Sequence, residues 1–152
     1  MMVFPVQLRG NALAELDREL AFALSQIGDR VAWLLPDQLG DALARSPGTG
    51  LQLEGLPVEG FLSGELRRVG DPLFGNVYRL GALVDATYAL VPVRARSVVS
   101  ESGQVVEISA TVLEVRTGRV LWFGVVEGTA GPPGDPASAA SAVEALARRV
   151  AG

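Results

Sequence analysis

The chain has 152 residues, 49% hydrophobic and 20% charged, with a net charge of -4, a composition that folds and does not stay disordered. A sequence pI of about 4.8 excludes a general nucleic-acid binder, which needs a basic face to displace counterions, and a polybasic membrane-surface protein. There is no histidine and no cysteine, and every basic residue is arginine, which removes Cys/His zinc sites, Ser-His-Asp and Cys-His catalysis, disulfides, Schiff-base lysines and the phosphate-loop lysine.

Met2 to Leu8 is apolar and reads as a first strand. Met1-Met2 runs straight into it, which points to a chain trimmed at its amino terminus, with any export signal upstream. Asn11 then reads as an N-cap, with Glu15 and Asp17 in the early turns where the helix dipole favours acids. Leu13, Leu16, Leu20, Leu24 and Ile27 recur at helical spacing, and Gly28 closes that helix. Val31 to Leu35 is a short apolar run expected to form a second strand. Pro36 suits the first turn of a second helix with Leu39 and Leu43 on one face, and Pro47 stops it. Ser46 to Gly60 is rich in glycine and proline and reads as a surface connection. Asp71-Pro72 starts another helix, carrying Leu73, Val77, Leu80 and Val84.

From there the period changes from helical to alternating. Thr87–Val99, Val105–Arg116 and Arg119–Glu127 predict three long strands joined by tight turns at Ser100–Gly103 and Thr117-Gly118. Pro92 within the first of them predicts an edge or a bulge. Asp135-Pro136 caps a last helix with Ala139, Val143, Leu146 and Val150 on one face. No stretch is long and apolar enough to span a bilayer as a helix. The expected architecture is one α/β (α+β) domain over residues 1–152. A single mixed sheet starts with early β-α-β-α units, continues in an antiparallel three-stranded meander and ends in a C-terminal helix.

Sorting the meander by alternation gives one apolar face, Val91, Val93, Ala95, Val106, Ile108, Ala110, Val112, Leu121, Phe123 and Val125, expected under the helices. The other face is mixed, with Tyr88, Arg94, Arg96, Glu107 and Trp122. In this register Arg96 opposes Glu107 and Trp122 opposes Leu113. A half-polar face of this kind is either a partly solvated sheet whose apolar end lies under the Gly/Pro-rich loops, or a protein-contact face. Tyr88, Arg94, Arg96 and Trp122 are the candidate contact residues, because Trp, Tyr and Arg dominate binding hot spots.

Paired carboxylates are the remaining catalytic class. Asp37 and Asp41 stand at i and i+4, as do Glu15 and Glu19 near Asp17, and burial could set one of them up for acid/base work. Solvated helix faces are the simpler reading of both pairs. Asp71 and Asp135 read as caps, and Arg67-Arg68 and Arg148-Arg149 as solvated surface. Neither glycine-rich stretch, Gly55–Gly64 or Gly70–Gly75, has the dinucleotide or calcium-loop pattern. No catalytic, cofactor-binding or metal-ligating residue is assigned, and no cofactor is expected.

Two stretches, Leu80-Gly81-Ala82-Leu83-Val84-Asp85-Ala86-Thr87-Tyr88-Ala89-Leu90 and Glu114-Val115-Arg116-Thr117-Gly118-Arg119-Val120-Leu121-Trp122, carry a resemblance. They resemble a bacterial envelope group that includes the curli secretion lipoprotein, the lipoprotein activator of a penicillin-binding protein and the amino-terminal domain of the Tol-Pal translocation protein. The opening Val3-Phe4-Pro5-Val6 is similar to that group's first strand, whereas Leu51 to Gly70 has no counterpart in it. The resemblance implies a periplasmic or outer-membrane-anchored protein, often lipid-anchored, that binds a protein partner or itself and does not catalyse. The alternatives are a subunit of a self-assembling ring or secretion complex, a carboxylate-dependent hydrolase, and a cytoplasmic domain.

Overall fold

A computed structural model describes residues 1–9 and 15–152. Among them are five strands in one mixed sheet and five helices. The sheet is built on the meander of β3 (Tyr88–Ser100), β4 (Gly103–Glu114) and β5 (Val120–Glu127). Two short strands, β1 (Met2–Val3) and β2 (Leu8–Arg9), both lie parallel to β3 on its far side, giving the order β1-β3-β4-β5 with β2 also on β3. The first strand is therefore broken in two. Met2 opposes Ala89 but Leu8 opposes Arg94, so the N-terminal segment uses one residue more than β3 over this span, while β3 in turn carries one extra residue against β4 in a bulge between Pro92 and Arg94. Proline cannot donate to a ladder, and the bulge expected at Pro92 is the way β3 carries one while buried between two neighbours.

The second expected strand, Val31 to Leu35, does not form. Only Leu34 bridges Met2, with Val3 N–H donating to Leu34 O at 2.8 Å and Leu34 N–H to Met1 O at 2.9 Å. Pro36 follows at once and starts α2 (Pro36–Ala44), and a chain committed to a helix there has no length left for a ladder. Gln38 closes the start of that helix, its side-chain oxygen accepting the Leu35 N–H at 2.9 Å.

Helices cover both faces of the sheet. On one face α1 (Leu16–Gln26) and α5 (Pro136–Ala151) bury Leu16, Leu20, Leu24, Val143, Leu146 and Ala147 against Leu90, Ala95, Val106, Ile108 and Ala110. The N-cap and core positions expected at Asn11 and Leu13 lie outside the described residues. On the other face α2, α3 (Gly60–Ser63) and α4 (Leu73–Val84) bury Leu39, Phe61, Leu73, Val77 and Leu80 against Ala89, Val91, Val93, Leu113 and Val115. Asp71 and Asp135 act as expected at helix starts, Asp71 Oδ1 accepting the Gly75 N–H and Asp135 Oδ1 the Ala137 N–H, each at 2.9 Å.

The segment expected as a surface connection, Ser46 to Gly60, is partly core. Leu56 and Val58 are buried, and two buried or half-buried amides hold the segment down. Gln7 donates to Leu53 O at 2.8 Å and accepts from Leu56 N at 3.0 Å. Asn76 makes a reciprocal pair with the Gln52 backbone, both bonds 2.8 Å. Glycine and proline content predicted irregular backbone correctly, but irregular backbone can be buried when side-chain amides satisfy it.

Candidate functional site

The bulges decide what each face of the meander presents. Arg96 opposes Glu107, as expected, and their side chains pair at 3.0 Å. Trp122 opposes Val112, one residue away from the expected Leu113, because a second irregularity between Val112 and Leu113 inserts Leu121 into β5. The four candidate contact residues therefore divide. Arg94 and Arg96 stay on the face of α2–α4, while Tyr88 and Trp122 turn to the face of α1 and α5. Trp122 is half-buried in that core, and the Arg149 guanidinium carbon lies 5.7 Å from its ring centroid, so it packs beneath α5 and is backed by a cation–π contact. Tyr88 is exposed and opposes Glu114. The same bulges move Val91, Val93, Leu121, Phe123 and Val125 off the face expected to be wholly apolar.

The α2–α4 face has two ends. Its upper end, Ala89, Val91, Val93, Leu113 and Val115, is fully covered by α4 and the 51–70 segment. Its lower end, with Arg94, Arg96, Glu107, Val125 and Glu127, is partly solvated. Glu107 opposes Glu127 directly, so Arg96 serves to offset a like-charge pair. Arg94 is half-buried and its Nε meets no hydrogen-bond partner. Phe123 stands at the boundary, stacked on Phe61 with centroids 5.6 Å apart.

Beside this lower end lies the free edge of the sheet. Among the described residues β5 has β4 on one side and, apart from the Arg68–Arg119 bridge at its start, no strand on the other. Gly128 N–H donates to Val106 O at 2.9 Å, and Val126, Gly124 and Trp122 oppose Ile108, Ala110 and Val112. Antiparallel alternation then points the even residues' backbone groups at β4 and those of Phe123, Val125 and Glu127 outward. Of the side chains along this strand that face away from α5, three are apolar and exposed, Leu121 43%, Phe123 37% and Val125 54%, and Glu127 at its end is charged. Sequence reading missed this edge because strand order, which makes β5 terminal, follows from long-range pairing of β1 and β2 with β3.

The carboxylates do not assemble into a site. Asp37 and Asp41 are both exposed. Glu15 pairs with Arg18 at 2.8 Å, and Asp17 accepts the Val6 N–H at 2.7 Å and pairs with Arg9. Among the described residues no group of three or more acids is placed to hold a metal ion, and no helix is long and apolar enough to cross a membrane. Comparison with protein-family models, with curated proteins and with solved structures finds no match to this chain.

Proposed function

We propose that the chain is a non-catalytic protein-interaction module of the bacterial cell envelope, the soluble part of an exported or lipid-anchored protein. The observation that carries the reading is the unpaired β5 edge, with exposed Leu121, Phe123 and Val125 beside the Arg96–Glu107 pair. Natural sheets blunt a free edge with charges or proline, and an edge left apolar is a place where something else pairs. A chain with no histidine, cysteine or lysine has few groups for catalysis and, in its arginines and aromatics, the groups that bind proteins. The envelope assignment rests on the resemblance of Leu80–Leu90 and Glu114–Trp122.

The test uses the full reading frame in its own host. A β-lactamase reporter fused after Gly152 confers ampicillin resistance if the chain is exported. A photo-crosslinking benzoylphenylalanine at Arg96 or Val125 traps protein adducts in intact cells if this surface is a contact, and one at exposed Gln26 on α1 does not. Sensitivity to ampicillin would remove the envelope assignment, and absence of adducts from both Arg96 and Val125 would remove the interaction reading.

A further inference from the structure

The β5 edge is open over a limited length, and its two ends carry opposite charge. At the start of β5 the segment Arg67–Val69 already occupies the edge: Val69 N–H donates to Gly118 O at 2.9 Å and Val120 N–H to Arg67 O at 2.8 Å. Among the described residues no other backbone bonds to that side of the strand. A strand added alongside β5 has room opposite Leu121 to Glu127, and at Leu121 it runs end-on into Arg67.

That stop is basic. Arg68 opposes Arg119 directly in an antiparallel bridge. Like charges set opposite each other on neighbouring strands are unfavourable. Arg119 has only a distant contact, 3.9 Å, with Glu114, and among the described residues neither Arg67 nor Arg68 forms an ion pair. Arg68 and Arg119 thus stand side by side on one face at that end of the open track, and Arg67 alternates to the other face. A hollow of about 200 Å³ lined by Gly60, Phe61, Leu66 and Arg68 opens there too. The other end carries Glu127 opposite Glu107.

We propose that the β5 edge binds an extended peptide as an added antiparallel strand, with the peptide's free terminal carboxylate held at Arg68 and Arg119. Charge selects the direction. Antiparallel to β5, the peptide places its carboxyl end at the arginines, whereas a parallel strand would place its amino group there. Backbone groups of Phe123, Val125 and Glu127 supply the ladder. Residues opposite Phe123 and Val125 fall on the face beside Phe61 and are apolar, and the residue opposite Glu127 is basic. The inference rests on the protein-interaction reading and specifies the partner chemistry at the same site.

The probe is the heptapeptide KTVTITD, labelled at its amino end and free at its carboxyl end, titrated by fluorescence anisotropy against the whole chain. Binding is expected in the tens of micromolar, weakened roughly fivefold or more when the carboxyl end is amidated and about tenfold by Arg68→Glu. Methylating the backbone nitrogen of the peptide's valine removes a ladder bond without touching the protein and is expected to abolish measurable binding. Val125→Pro removes the matching outward N–H, with circular dichroism and Tm checking that the fold is kept. No binding at millimolar peptide, or equal binding by the methylated or amidated peptide, would overturn the inference. So would a concentration-dependent dimer abolished by Val125→Pro, which would give the edge to a second copy. Adducts trapped in cells from Arg96 with no peptide bound would likewise overturn it, while leaving the interaction reading in place.

Discussion

Two glycines in helices should respond to the same substitution with opposite sign. Gly81 lies in α4, where it is buried against β4's continuation. A Cβ added there would sit 2.3 Å from Val115 Cγ1 and 3.2 Å from Ala86 O. Carbon atoms pack at about 3.5–4.0 Å, so helix and strand must separate by over an ångström or Val115 must leave its rotamer. Overpacking of this kind costs about 1–3 kcal/mol, and the gain in helix propensity on replacing glycine by alanine offsets about 1 kcal/mol of that. Gly81→Ala is therefore expected to destabilise by about 1 kcal/mol. Gly40, in α2, has nothing within 4 Å of its added Cβ, so Gly40→Ala collects only the propensity term and stabilises by about 0.5–1 kcal/mol. Thermal unfolding followed by circular dichroism would separate the two, with Tm values several degrees apart at about 3 °C per kcal/mol for a chain of this size. Pairing Gly81→Ala with Val115→Ala should recover about 1 kcal/mol relative to the summed single effects. A Gly81→Ala variant as stable as Gly40→Ala, or strict additivity in the pair, would refute the close approach of α4 to Val115.

Asn76→Ala should cost about 1–3 kcal/mol, since Asn76 is only 7% exposed and makes both bonds to Gln52. Released from it, the 46–58 segment should also become the first site of limited proteolysis. Asp135→Ala removes the bond to Ala137 N–H and should lower stability by about 1 kcal/mol, measured by thermal unfolding, with Asp135→Asn recovering most of the loss. Arg96→Ala should change stability by under about 0.5 kcal/mol, because Arg96 is 52% exposed where it meets Glu107; a loss in thermal unfolding above 1 kcal/mol would show that the Glu107–Glu127 repulsion is larger than its solvation allows.

The meander was legible in the sequence because its signals are local. Alternating Val, Ile and Leu marked β3, β4 and β5, Thr117-Gly118 marked their second turn, and Asp71 and Asp135 marked helix starts by proximity to proline. Pro92 announced its bulge. What the sequence did not show was the consequence of that bulge: a single extra residue exchanges faces beyond it, so Val91 and Ala95 serve opposite cores. The irregularity at Leu121 has no comparable marker, and it alone moved Trp122 across the sheet. Val31 to Leu35 failed as a strand because Leu34 finds a bridge partner only in Met2, and apolar content cannot supply a ladder. The burial of Leu56 and Val58 depended on Gln7 and Asn76, which lie far away in sequence and carry no local sign of their role.

The order of strands also sets an order of events in folding. β3, β4 and β5 are joined by short turns, and Ser100 Oγ closes the first of them onto Gly103 O at 2.8 Å. β1 and β2, by contrast, pair with β3 across most of the chain, Met2 with Ala89 and Leu8 with Arg94. Closing that long loop is entropically slow, so the hairpins form first and β3 waits with a bare edge of its own. Pulse-labelled hydrogen exchange should protect the β4 amides before those of Phe4 and Gln7, which bond to Leu90 O and Pro92 O; simultaneous protection would rule this order out. Until that step the nascent sheet has two sticky margins. One is sealed by the chain's own opening residues, and the crowding of that interval is where a misfolded, edge-paired aggregate would begin.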